Sequence, residues 1–324
     1  MSGIISQPEV THLIDTIHTP YVTETLFRED ALFDLPGAGL GEEYTPGEKL
    51  RGLFSYEPSR GGYQEDTPVL YASDAAVEMD GETDPAPSPG SSSETTASWS
   101  PRYFQTTMKI WEQTLDGLTN DAQVIDVLDL KMYDRKRALR SIINTTMAGA
   151  GSTNLQAAVD STTSYAGISD RATYGWASAE EAVDGAIALS DLEDLVETLE
   201  LRGVPLNELV WVMRSNQITN IGNLAGWSGN SVVQKMVVPG GAFDPSFIRQ
   251  DISICGIPIY PLTSLTSDVI LLLHYPSLKW KMHAALKMSP LAKVDYGYSW
   301  LMTVGVIPKV EKPHWCGKLT GVTA

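Results

Sequence analysis

Cysteine is nearly missing from this 324-residue chain, which has only Cys255 and Cys316. Two thiols exclude a secreted disulfide framework, and without clustered histidine they cannot complete a four-ligand zinc site. Histidine is sparse as well: His12, His18, His274, His283 and His314 are dispersed. Only His274 and His283 fall on segments expected to be neighbouring strands, where ordinary core or interface roles suit them. Long hydrophobic runs are absent too, since the longest purely apolar stretch, Val269–Leu273, is far too short to cross a bilayer. The first 30 residues include Glu9, Asp15, Glu24, Glu29 and Asp30 and no continuous apolar stretch, so no signal peptide is expected. These features point to synthesis in a reducing cytoplasm, with no membrane partner. Charged residues make up 19 %, below the usual share of about 25 %, as in a chain that hides surface in subunit contacts.

Catalytic motifs are equally scarce. Gly37-Ala38-Gly39-Leu40-Gly41 has Glu42 where a dinucleotide fingerprint needs its third glycine, and the sequence holds no phosphate loop, no His-Glu-x-x-His and no Gly-x-Ser-x-Gly elbow. Asp191, Glu193 and Asp194 cluster at an expected helix start, where capping and the helix dipole account for them. No catalytic, cofactor-binding or metal-binding residue is nominated, and the chain is read as a non-enzyme. An enzyme with an inconspicuous site is the contrasting alternative.

What is present is a graded charge. Residues 1–100 carry 18 acidic and 4 basic side chains, residues 101–202 carry 16 and 9, and residues 203–324 carry 6 and 10, for a net charge of −17. That distribution argues against a duplex-binding protein, which needs clustered cations to displace counterions. It suits either a solvated acidic surface or front-to-back attraction between neighbouring copies. The one dense basic group, Lys131, Arg135, Lys136, Arg137 and Arg140, is interleaved with Asp126, Asp129 and Asp134. It reads as a salt-bridged helix face or as a surface touching packaged DNA or a neighbour's acidic arm.

Patterning along the chain gives an ordered series of parts. Residues 1–34 scatter short apolar groups with no sustained period and read as an arm, followed by the turn-rich joint 36–41. Residues 48–112 read as a two-armed excursion. Its outgoing arm holds Leu50–Tyr56 and Val69–Ala72, and its return, Phe104–Trp111, alternates with period two. The tract Asp84–Thr96 between them has linker composition. The excursion is too poor in core pattern to stand alone, so neighbouring copies are expected to order it.

The strongest helix is 121–147, capped by Asn120 and stopped at Gly149, with Val124, Leu128, Met132, Leu139, Ile143 and Met147 on one stripe. It is about 40 Å long at about 1.5 Å per residue. Two capping boxes, Ser178–Glu181 and Ser190–Glu193, predict helices over 179–189 and 191–202. Strands are expected at Leu209–Met213, Ile252–Tyr260, Val269–Tyr275, Leu278–Ala284 and Trp300–Ile307. The fold class is α+β.

Three local motifs fall in a telling order. Tyr165-Ala166-Gly167-Ile168-Ser169-Asp170-Arg171-Ala172-Thr173, followed by Trp176, is similar to a segment of the major capsid proteins of tailed bacteriophages. It differs by Ala166 for the first glycine and by one extra residue before Arg171. Leu206–Met213 and Cys255–Tyr260 resemble two strands of the same family. The resemblance implies the Hong Kong 97 shell fold, which encapsulins share. It implies an N-terminal arm at 1–34 and an extended loop at 35–112. A peripheral domain would take 113–205 and 296–324 around spine helix 121–147, and an axial domain 206–295. It further implies self-assembly into hexamers and pentamers, with triangulation number seven the commonest class. The product would be an icosahedral virion shell, assembled in the bacterial cytoplasm and enclosing double-stranded DNA through weak, non-specific contact. Portal protein, a separate scaffolding protein and a possible decoration protein are the implied partners. Acidic residues of the excursion are expected to meet Lys279, Lys281, Lys287, Lys293, Lys309, Lys312 and Lys318 of an adjacent copy. The alternatives are an encapsulin-type nanocompartment and another virion part such as a tail-tube or decoration protein.

Overall fold

The computed structural model describes residues 54–57, 64–72, 93–112, 114, 121–149, 155–225, 233–235, 252–292 and 296–323. The expected arm, the glycine-rich joint, residues 84–92, Asn120 and Lys293 lie outside them. The chain divides into two compact units. One takes residues 1–61, 101–149 and 275–309, the other 62–100, 150–274 and 310–324. The segments 113–205 and 296–324, grouped in one domain from sequence, are therefore shared between both units.

In the first unit, helix α1 (Asp121–Ala148) buries Leu128, Met132, Leu139, Ile143 and Met147. The stripe skips a turn at Arg135 and Lys136, as the sequence spacing requires. The helix packs on strand β4 (Arg102–Trp111), in which Phe104, Met108 and Ile110 are buried and Gln105 and Thr107 are exposed. β4 runs antiparallel to β12 (Gly297–Val310), from Arg102 opposite Val306 to Trp111 opposite Gly297. β12 also bonds β11 (Leu278–Pro290), whose far edge carries β1 (Ser55–Tyr56) in parallel, giving the order β1-β11-β12-β4. Trp280 and Trp300 are fully buried, and Tyr56 meets Trp280 edge-on at 5.1 Å.

The outgoing root of the excursion is thus fastened within its own chain. Ser55 Oγ donates to the Leu278 carbonyl at 3.0 Å, Glu57 N to Trp280 O at 2.8 Å, and Lys281 Nζ lies 3.5 Å from the Glu57 carboxylate.

The second unit is built on a seven-stranded mixed sheet. Its strands, in spatial order, are β5 (Ala179–Ala186), β13 (Gly317–Thr323), β10 (Ile270–His274), β6 (Leu209–Met213), β9 (Ile257–Pro261), β8 (Ile252–Ile254) and β7 (Val233–Lys235). β6 and β10 are buried at every position, as their continuous apolar runs require. Helix α2 (Leu155–Ala158) is a single buried turn; α3 (Leu189–Leu201) buries Leu192, Leu195, Val196 and Leu199, and α4 (Ser215–Ala225) buries Gln217, Ile218 and Ile221. A Cβ at Gly317 would stand 2.8 Å from Leu195 Cδ1, so glycine there lets α3 approach the sheet. A separate two-stranded ladder pairs β2 (Glu65–Ala72) with β3 (Ser93–Trp99). Residues 93–96, read from sequence as linker, are therefore strand, held by backbone pairing to 68–72.

Several expectations change. Residues 179–186 form strand β5, not a helix. Ser178 Oγ donates to Val159 O at 2.6 Å instead of capping, and β13 offers β5 a parallel partner from Gly317 opposite Ala179 to Thr323 opposite Ala186. Tertiary pairing thereby overrides the local box. The second box is displaced: α3 starts at Leu189, and Asp191 accepts the Ala188 N–H at 2.8 Å. His274 and His283 do not lie on neighbouring strands, because β10 and β11 belong to different sheets. Helix α4 had no recognised signal.

The expected strand 252–260 is a hairpin instead. It folds at Cys255 (φ +53°) and Gly256 (φ +76°), between the paired Ile254 and Ile257. Positive φ at both central residues is the type I′ geometry, which favours Asn-Gly. Half-buried Cys255 carries the strain of a non-glycine residue there. Cys255→Asn is expected to stabilise the protein by about 0.5–1 kcal/mol, read as a raised denaturant midpoint at unchanged slope.

Candidate functional site: a buried motif and an exposed helix face

The capsid-like motif is packed inside the second unit. Tyr165 and Ile168 exchange backbone hydrogen bonds at 3.1 and 3.0 Å, closing a tight turn through Ala166 (φ +51°) and Gly167 (φ +82°). Alanine costs about 1–2 kcal/mol in this region. The residue is 4 % exposed, and burying its methyl returns about 0.8 kcal/mol, so much of the strain is offset. The Ala166 carbonyl accepts the Ser98 N–H at 2.8 Å, tying the turn to β3.

Arg171 is 1 % exposed, and among the described residues no carboxylate forms an ion pair with its guanidinium. Nη1 donates to the carbonyls of Ala157 (3.0 Å) and Asp160, and Nη2 to those of Ala158 (2.5 Å) and Trp176 (3.3 Å). The fork therefore caps the end of α2 and closes the motif's own loop, a job suited to five fixed donors. Burial lowers the Arg171 pKa, yet an arginine stays charged at any physiological pH. The cation also lies 5.8 Å from the Tyr165 ring and 5.9 Å from the Trp176 ring. Burial pushes the Tyr165 hydroxyl up to about 12. Its oxygen accepts Trp99 Nε1–H at 3.2 Å and Val310 N–H at 3.0 Å. One phenol thereby joins the hairpin, the motif and the last strand's approach.

A second polar knot adjoins it. Asp160 Oδ1 accepts from Thr162 N, Thr162 Oγ1 and Thr163 N at 2.8–3.0 Å, and its Oδ2 takes Lys318 Nζ at 3.0 Å. Glu180 accepts Ser161 Oγ at 2.6 Å and stands 3.5 Å from the same ammonium. Burial raises the Asp160 pKa, but Lys318 and the threonine donors outweigh it and hold the carboxyl well below its usual range. Asp160 followed by Ser161-Thr162-Thr163 is a recognisable turn signature; Lys318 carries none.

These bonds revise the expected basic docking region. Lys281, Lys309 and Lys318 are buried, with Lys281 on Glu57 and Lys318 on Asp160 and Glu180 of the same chain. They do not present an exposed face to an adjacent copy. The five cations of α1 likewise form no single basic surface: Lys131 and Arg137 are exposed, whereas Arg135, Lys136 and Arg140 are partly buried, Arg135 being 3.4 Å from Asp134. The exposed side of α1 instead carries Leu130 (68 % exposed) and Tyr133 (64 %) beside Arg137. Positions 130, 133 and 137 share one helix face, and tyrosine and arginine are common at the centres of interfaces. Among the described residues no group of three His, Cys, Asp or Glu could hold a metal ion, and no helix is long and apolar enough to cross a membrane.

No known family profile and no curated protein matches the sequence. Solved structures do. The capsid asymmetric unit of cyanophage A-1(L) aligns with a TM-score of 0.68 at 13 % identity, over 89 % of this chain and 96 % of that one. The chain has the Hong Kong 97 capsid fold. Two more capsid-fold structures agree. The capsid of a native GTA particle gives 0.57 at 12 % identity, over 90 % and 95 % of the two chains. The capsid of cyanophage P-SCSP1u gives 0.55 at 12 %, over 90 % and 93 %. At such identities the capsid fold is kept by pattern and burial, not by residue-for-residue likeness.

Proposed function

We propose that this chain is a non-enzymatic major capsid protein, whose copies form the hexamers and pentamers of an icosahedral tailed-phage head around double-stranded DNA. The observation that carries the reading is the near-complete alignment with the cyanophage capsid subunit. In this reading residues 1–34 form the arm and 35–112 the extended loop, and α1 is the spine of the peripheral domain. On this reading β11 groups with α1 on the peripheral side, and β5, α3 and β13 group with the seven-stranded sheet on the axial side. A portal, a separate scaffolding protein and a decoration protein are the proposed partners, DNA is held by weak non-specific contact, and the shell belongs to the triangulation-seven class. Assembly takes place in the bacterial cytoplasm.

The test is expression of the full chain, alone and with a co-expressed scaffolding protein from its own genome. Closed, uniform shells in electron micrographs are the expected result, in one arm or both. A monodisperse monomer in both arms would sink the proposal. Uniform shells that package a cellular enzyme and never DNA during infection would point to a nanocompartment instead.

A further inference from the structure

The turn that leads into β13 is held by an unusual set of side chains. Trp315 presents its ring to His274 edge-on at 4.8 Å (interplanar 89°) and to His314 at 5.9 Å, and Lys312 Nζ stands 3.6 Å above it. From the end of α3, Arg202 Nη1 donates to the carbonyls of His314 at 2.9 Å and Ala177 at 3.0 Å. From the turn before β6, the Glu208 carboxylate meets His274 Nε2 at 2.8 Å.

The two histidines differ in their surroundings. His274 has a carboxylate partner, and the charges that act on it are Glu208 and Lys312. The charges that act on His314 are those of Arg202, Lys312, His274 and Arg171, all cations or potential cations, and no carboxylate is among them. Its Nδ1 is buried with no hydrogen-bond partner among the described residues.

We propose that the His314–Trp315 turn is an acid-released latch on β13: adding a proton to His314 places another cation near Arg202, Lys312 and Arg171 and frees β13, with the turn that precedes it, from the sheet. Burial, then Arg202 and Lys312, hold the His314 pKa at about 4, below its ordinary 6.5. A histidine with a lowered folded-state pKa favours the closed form fully above about pH 6.5. That advantage falls away as pH drops toward 4 and changes no further below it.

Hydrogen exchange on the full chain, kept in one assembly state throughout and corrected for intrinsic rates, tests the latch. With pKa values of about 6.5 open and about 4 closed, opening of 312–323 could rise up to about 30-fold between pH 7.5 and 5; partial exposure of the ring reduces this to on the order of ten-fold. His314→Gln is expected to flatten that pH dependence, while Lys312→Gln, which leaves the histidine in place, weakens it by removing one repelling charge. Equal pH dependence in wild type and His314→Gln would overturn the proposal, as would wild-type protection that does not change between pH 7.5 and 5. If His314→Gln does not fold, Lys312→Gln decides alone, and a slope unchanged from wild type refutes the latch. Neither readout depends on shell formation, so failure of the capsid reading and failure of the latch are distinguishable.

Discussion

Arg171→Ala is expected to destabilise the protein by about 3–5 kcal/mol. The substitution removes the guanidinium donors from the carbonyls of Ala158, Asp160 and Trp176 in a largely buried site, and leaves that of Ala157 only the Asp160 N–H at 3.3 Å. Each unsatisfied buried polar group costs about 1–3 kcal/mol, and water entering the vacated space recovers part of that. Against a total stability of about 5–15 kcal/mol, the loss is severe. At roughly 2–4 °C per kcal/mol for a domain of this size, the unfolding midpoint should fall by about 10 °C. Arg171→Lys keeps the charge but not the planar fork, so it should recover only part of the loss. Calorimetry or denaturant titration of the three proteins reads the series. An alanine variant within about 1 kcal/mol of wild type would show that the carbonyls find other donors.

The second large effect concerns assembly and leaves the fold alone. Leu130 and Tyr133 are exposed on α1 among the described residues. If copies dock there, Leu130→Asp with Tyr133→Asp should remove a tyrosine anchor worth about 2 kcal/mol or more and place unpaired charge in every repeat of the contact. Shell formation should therefore be lost almost completely. The subunit's own stability should move by no more than about 0.5 kcal/mol per site, as for other exposed positions. Sedimentation and negative-stain microscopy report the first quantity, and circular dichroism with thermal unfolding the second. Normal shells from the double variant would place the subunit contacts elsewhere.

Where local pattern and tertiary demand agree, the sequence was a good guide. Helix 121–147 was legible because Leu128, Met132, Leu139, Ile143 and Met147 all face one core. Strands β6 and β10 were legible because every side chain in them is buried and all but His274 are apolar. The Ser178 box misled because its hydroxyl is taken by Val159 O and the stretch after it is claimed by β13, a partner more than a hundred residues away. The break at Cys255 was hidden for a related reason. A type I′ turn shows in a sequence through Asn-Gly or Gly-Gly, and cysteine at the first position gives no such sign. In the motif itself, Tyr165, Arg171 and Trp176 were marked by family likeness, but nothing local revealed their work. That work depends on Trp99 and on carbonyls brought in by the fold.

The position of β13 bears on when the subunit becomes competent. It lies between β5 and β10, so while residues 317–323 remain inside the ribosomal tunnel those two strands have no common partner. The larger sheet must therefore close after synthesis has passed its last strand, a step that joins elements far apart in sequence and is correspondingly slow. A chain interrupted before that strand would therefore leave the facing edges of β5 and β10 unpaired and open to other chains.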